Sequence, residues 1–192
     1  MKKITYLAID TETGGIGPEV SLLTAYLAVL NEKFEIVDEL DLALKPDDDL
    51  YHVTAEALSI NKIDLVKHQE KAITRGKAGE LLREFLIKNS ENGKNKLTPL
   101  GHNVAFDMEK IYQNVLNKKE AQKYVSYRML DTGSTGRFLI VAGYIPETVT
   151  GSLGSYVEHL GVQKREFHTA RGDVEMTVDV MKAMIDLVSR HL

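Results

Sequence analysis

The chain contains no cysteine, which excludes disulfide bonds, a thiolate nucleophile and any cysteine-ligated zinc, and leaves carboxylate and imidazole chemistry open. No apolar run approaches the ~18 residues of a membrane span. Met1-Lys2-Lys3 leads straight into a strand-like stretch, without the apolar segment and small-residue cleavage site of a secretion signal. A cytoplasmic protein with no membrane partner is therefore expected. An excess of positive charge is missing too, since 24 Lys and Arg stand against 28 Asp and Glu for a net charge of −4. That balance argues against coating duplex DNA by charge alone. It leaves a nucleic-acid enzyme open, because a cluster of acids attracts phosphate once cations fill it. Neither an internal repeat nor a low-complexity tract occurs, and the flexible stretch Ser90 to Lys96 is too short for a linker between domains. With 192 residues, 43% hydrophobic and 27% charged, the chain reads as one domain, 1–192, long enough for a real core.

What is present begins with Ile4 to Gly15, ITYLAIDTETGG. Ile4, Tyr6, Leu7, Ala8 and Ile9 read as a buried strand closed by a Thr/Gly turn. Asp10 and Glu12 follow two residues apart, a spacing that points both side chains to one face of a strand. Like charges buried together need a cation between them, and oxygen ligands suit Mg²⁺ or Mn²⁺. A polar turn with Asp10 as a cap would produce the same letters.

Farther along, Ser21 to Leu30 and Phe34 to Leu44 read as two more strands, joined at Asn31-Glu32-Lys33 into an antiparallel meander. Pro46 ends the sheet, and Asp47-Asp48-Asp49 beyond it is a solvated loop. Short helices are expected from Thr54 and after Ile60, and a longer one over Lys71 to Lys88. The basic stretches Asn61 to Arg83 and Val162 to Gly172 read as a solvated helix face and a loop, either of which could flank a nucleic-acid strand. Leu97 to Gly101 is a strand running into Gly101-His102-Asn103-Val104-Ala105-Phe106-Asp107, so Asp107 falls in the first turn of a helix beginning near Val104. An acid there also suits the helix dipole in any protein. Lys118 to Tyr124 makes a short helix, Leu130-Asp131-Thr132 leads into one through Leu139, and Val149 to Leu153 opens another that Leu160-Gly161 closes. Last comes Phe167-His168-Thr169-Ala170-Arg171-Gly172-Asp173, feeding a helix with the apolar face Val174, Thr177, Val178, Met181, Ile185 and Val188.

Separated stretches thus each carry an acid at an element end: Asp10 with Glu12, Asp107, and Asp173 with His168 five positions before it. Four carboxylates and one imidazole match two-metal phosphodiester hydrolysis, in which two cations activate a water and steady the leaving oxygen. Histidine suits the role of general base.

In order and spacing these motifs resemble the DEDDh, DnaQ-like 3′–5′ exonucleases, a group that includes replicase proofreading subunits, ribonuclease T and oligoribonuclease. The likeness spans nearly the whole chain and takes in Leu130-Asp131-Thr132, Leu153 and Leu160-Gly161. It implies a ribonuclease H-like α/β fold, a mixed central sheet flanked by helices. It also implies removal of 5′-mononucleotides from the 3′ end of single-stranded DNA or RNA, with two divalent cations, Mg²⁺ or Mn²⁺, on Asp10, Glu12, Asp107 and Asp173. By family position His168 is the base, Thr13 and Gly14 lie against the terminal nucleotide, and Asn103 and Phe106 support the second motif. Two positions depart from the pattern: Gly14 stands where many members have Thr, and Thr24 where an acid is common. Neither is a metal ligand, but both bear on substrate preference. The rival readings are hydrolysis of very short oligonucleotides or a small phosphodiester, and a non-catalytic nucleic-acid-binding module. A proofreading role would call for a separate polymerase chain.

Overall fold

A computed structural model describes residues 5–190; Ile4, and with it the opening Met1-Lys2-Lys3, lies outside the described residues. Its strands are β1 (Tyr6–Thr13), β2 (Leu22–Leu30), β3 (Ile36–Lys45), β4 (Ile73–Thr74), β5 (Thr98–Gly101) and β6 (Leu130–Asp131). They form one six-stranded sheet in the order β4-β3-β2-β1-β5-β6. The β1, β2 and β3 meander is antiparallel, as expected, while β5 joins β1, β6 joins β5 and β4 joins β3 in parallel. Asn31 makes the β2–β3 turn: its side-chain oxygen accepts from the Lys33 and Glu35 backbones while Phe34 adopts a left-handed φ of 58°. The strand therefore starts after Phe34, at Ile36.

The helices are α1 (Ala55–Asn61), α2 (Leu65–Lys71), α3 (Arg75–Asn89), α4 (Val104–Asn114), α5 (Lys118–Ala121), α6 (Thr132–Val141), α7 (Leu153–His159) and α8 (Ala170–Ser189). None among the described residues is long and apolar enough to cross a membrane. The single helix expected over Lys71 to Lys88 is divided. Ile73 and Thr74 pair with Leu44 and Lys45, and Thr74 then caps α3 by accepting from the Lys77 backbone. An edge-strand pairing has overridden a helical apolar pattern at its first residue.

Strand parity divides the core. Leu7 and Ile9 of β1 pack with Leu82 and Leu86 of α3 and Met108 and Ile111 of α4 on one face. On the other, Ala8 packs with Val174, Val178 and Met181 of α8. Met176, Val180 and Met184 face away from the sheet and pack with Leu139 of α6 and Tyr156 and Val157 of α7. Helix α8 is thus covered on two sides rather than along the one expected stripe, and Ile185 is left exposed.

Candidate active site

β1 reaches Thr13, so Asp10 and Glu12 lie within the strand rather than beyond its end, opposite Tyr26 and Thr24 of β2. They continue the row of Ala8 and so face α8. Asp173 stands in the first turn of α8 and reaches the same point: one oxygen each from Asp10, Glu12 and Asp173 lie within 4.8 Å of one another. Asp107 comes from α4 on the opposite face. It joins at the sheet's end through Thr11, whose hydroxyl donates to Asp107 Oδ1 at 2.7 Å.

The loop before α8 orients Asp173. Thr169 caps the helix by accepting from the Gly172 backbone. A Cβ on Gly172 would stand 2.3 Å from the Glu166 carbonyl, so only glycine lets that loop fold over the first turn. His168, with a left-handed φ of 63°, donates its backbone N–H to Asp173 Oδ2 at 3.2 Å. Asp173 Oδ1 is buried and has no hydrogen-bond partner. The His168 side chain is exposed at the rim.

Burial dominates the electrostatics. It raises Asp10 well above the usual carboxylate range, with added repulsion from Asp107, Asp173 and Glu12. It pushes Glu12 up to about 7, aided by Asp173 and Asp107. Asp107 also rises to about 7, although Thr11 donates to it. Burial raises Asp173 as well, against the His168 backbone hydrogen bond and charge. Four crowded acids held this way, all hard oxygen donors and one with an orphaned oxygen, fit a divalent cation. Asp47, Asp48 and Asp49 form no such cluster: Asp49 accepts from Lys45 and Gln69, and Asp48 from the Leu50 backbone.

A cleft of ≈ 410 Å³ opens beside Glu12, lined by Thr13, Gly15, Ile16, Thr54, Glu56, Ile60, Asn61 and Phe106 among others. Thr13 and Phe106 both line this cleft. Gly14 does not line it. Its N–H donates to Ser21 O and its carbonyl accepts from Thr54 N, and a Cβ there would lie 2.2 Å from the His52 carbonyl. That crowding accounts for glycine at this position. Asn103 does not line this cleft either; it caps α4 in a left-handed conformation and faces a second cavity beyond the helix start.

Ile16 at the cleft and Lys110 beside it carry no sequence motif. Ile16 is 90% exposed at the rim. Lys110, only 4% exposed, donates to Gly17 O at 2.7 Å and lies 5.3 Å from the Phe106 ring centroid, latching the Ile16 loop to α4. Its one sequence signal is a lysine interrupting the apolar face of α4. Asp131 ties two helix starts together, accepting from Val104 N with one oxygen and from Ser134 N with the other. Of the basic residues in Val162 to Gly172, Arg165 pairs with Glu175 and Asp179, and Arg171 with Glu39 and Glu175. Internal pairing occupies those two charges.

Sheet order and flanking helices define a ribonuclease H-like fold with three acids gathered on one face of its first strand. Within that class the chain superposes on E. coli exonuclease I in complex with a dT13 oligonucleotide, at a TM-score of 0.75 and 18% identity over 95% of this chain and 41% of that one. The zinc-bound form of an E. coli exonuclease I–single-stranded DNA complex superposes at a TM-score of 0.76, with 19% identity over 95% and 40% of the two chains. In sequence it is 26% identical over 188 residues to a DNA polymerase III PolC-type of Thermotoga petrophila, covering 97% of this chain and 12% of the polymerase. No family model matches. The chain spans under half the length of these exonucleases and a small part of the polymerase. The resemblance read from the motifs and the expected fold are both borne out.

Proposed function

We propose that the protein is a cytoplasmic, metal-dependent 3′–5′ exonuclease, folded as one domain over 1–192, that shortens single-stranded nucleic acid, DNA first, to 5′-mononucleotides. The convergence of Asp10, Glu12 and Asp173 oxygens within 4.8 Å, with Asp107 beside them, carries this reading. Mg²⁺ or Mn²⁺ held by these four carboxylates would supply an activated water and charge stabilisation at the leaving oxygen. The chain's own residues do the rest. Thr11 holds Asp107 in place and the His168 backbone holds Asp173. His168 takes the proton of the attacking water from its exposed position at the rim. Apolar Ile16, Ile60 and Phe106 wall the cleft beside Glu12 and accept the face of the terminal base, while Lys110 keeps the Ile16 loop closed against α4. The single-stranded DNA in the exonuclease I complexes supports the choice of polymer. Likeness to a PolC-type polymerase supports a polymerase chain as a partner.

Cleavage of 5′-labelled single-stranded DNA and its RNA counterpart tests the proposal, with Mg²⁺, Mn²⁺ or EDTA. A ladder that shortens from the 3′ end, absent with EDTA and in Asp10→Ala, is the expected result. Intact polymers after incubation with folded, metal-supplied protein would refute it.

A further inference from the structure

His168 stands midway between two arginines, Arg165 and Arg171, three positions to either side. Both close on one carboxylate. Glu175, two residues past Asp173 on α8, takes Arg165 Nε on Oε2 at 2.7 Å and Arg171 Nε on Oε1 at 3.2 Å. Arg165 also reaches Asp179, a turn further along α8, at 3.0 Å. A carboxylate offers one oxygen to each guanidinium, and charge-assisted bonds of this kind fix geometry as well as adding attraction. The stretch from Arg165 to Arg171 is thereby folded into a loop with both ends fastened to the same side chain.

The far side of this clasp reaches the sheet. Arg171 donates to Glu39 Oε2 of β3 at 3.3 Å, and that oxygen also accepts from the Tyr26 hydroxyl at 2.7 Å. The Arg171 guanidinium lies 5.3 Å from the Tyr26 ring centroid, within cation–π range. Tyr26, fully buried, is the β2 partner of Asp10, and cross-strand partners share a face. The loop that carries His168 is therefore tied to the strand pair that carries Asp10. Arg171 and Glu39 are 55% and 44% exposed, and exposed pairs add little to stability. What a chain of them around one histidine can fix is where the imidazole sits.

We propose that Glu175 is a positioning residue, the buckle of an Arg165–Glu175–Arg171 clasp that holds the His168 loop in place beside the acids. The role of His168 as base rests on the exonuclease reading, whereas the holding of its loop does not.

Single-turnover cleavage of 5′-labelled single-stranded DNA with Mn²⁺ tests this in a double-mutant cycle of Glu175→Gln and His168→Ala. Glutamine keeps the length of the side chain and loses the charge that the two guanidiniums share. At saturating strand Glu175→Gln should lower the rate ~10–100-fold, the scale of a small misplacement of a reacting group. The half-saturating strand concentration and the thermal response to Mn²⁺ should not change. In the His168→Ala background the same substitution should cost about twofold or less, because it acts through the imidazole. An equal loss in both backgrounds overturns the proposal, as does a full rate in Glu175→Gln. Hydrogen–deuterium exchange over residues 162–169 gives a readout that needs no cleavage. It should run roughly tenfold faster in Glu175→Gln with β1 still protected, and an unchanged loop overturns the clasp. Should Glu175→Gln lose its fold, Arg171→Gln, at an exposed position, decides by the same two readouts. A wild type that cleaves nothing, beside a Glu175→Gln variant whose loop loosens, refutes the exonuclease reading and leaves the clasp standing.

Discussion

Asp10 shows how a single side chain sets the protein's balance between stability and chemistry. Its burial among Asp107, Asp173 and Glu12 raises its affinity for a proton and makes its charged form costly without a cation. Asp10→Asn removes that repulsion. The metal-free variant is expected to melt ~2–4 °C higher than the wild type at pH 8, while losing both cleavage and its thermal response to Mn²⁺. Differential scanning fluorimetry with and without EDTA checks this, and an unchanged response to Mn²⁺ would take Asp10 out of the metal site. His168→Ala should keep that response and lower the single-turnover rate by ~10²–10⁴-fold, the usual worth of a general base. Lys110 acts at one remove from the chemistry. Lys110→Met strands the Gly17 carbonyl and frees the Ile16 loop, so KM should rise several-fold with kcat little changed. A fall in kcat with KM constant would contradict a latch.

Among elements, helix starts and crossings position the site. Asp131 caps α6 and also receives the first N–H of α4, the helix of Asp107. Losing a cap costs ~0.5–2 kcal/mol, so Asp131→Ala, which loses two such contacts, should cost ~2 kcal/mol or more by urea denaturation. A cost no larger than that of Thr74→Ala, which removes the single cap of α3, would contradict the double role. Gly79 looks like a defect in α3 on helix propensity alone, and alanine there ordinarily gains up to ~1 kcal/mol. Here a Cβ would stand 2.7 Å from the Val115 carbonyl, where α3 meets the end of α4. Gly79→Ala is therefore expected to destabilise, by ~1–3 kcal/mol as overpacking does, and a stabilised variant would contradict the close approach. The apolar pattern around Gly79 showed a helix, but the crossing that requires glycine was invisible without the partner.

For the whole molecule, the acids couple folding to pH and metal. Glu12 titrates near 4.5 in the unfolded chain and at about 7 in the fold. Its raised value gives stability that is complete below the unfolded pKa and is lost as pH rises through about 7. Raised values at Asp10, Asp107 and Asp173 act in the same direction. The metal-free melting temperature should fall from pH 5 to pH 8, and the gain from added Mg²⁺ or Mn²⁺ should grow over the same window. A gain independent of pH would mean that the cation binds elsewhere.

The sequence by itself determined what depends on local periodicity. Alternation along β1 put Asp10 and Glu12 on one face, Asn31-Glu32-Lys33 marked the turn of the meander, and the helix starts located Asp107 and Asp173 in first turns. Three ordered motifs then named the fold that the structure bears out. Only the tertiary structure decided which faces meet: that Asp107 arrives from the side opposite Asp173 and is tied to Thr11, and that Ile73 leaves its helix for an edge strand. It alone showed Gly14 spending its backbone inside the protein. The physical reason is range. A repeat of two or 3.6 residues tells which way a side chain points from its own element, whereas contacts such as Thr11 with Asp107, 96 positions apart, follow from how elements pack, which no local pattern carries.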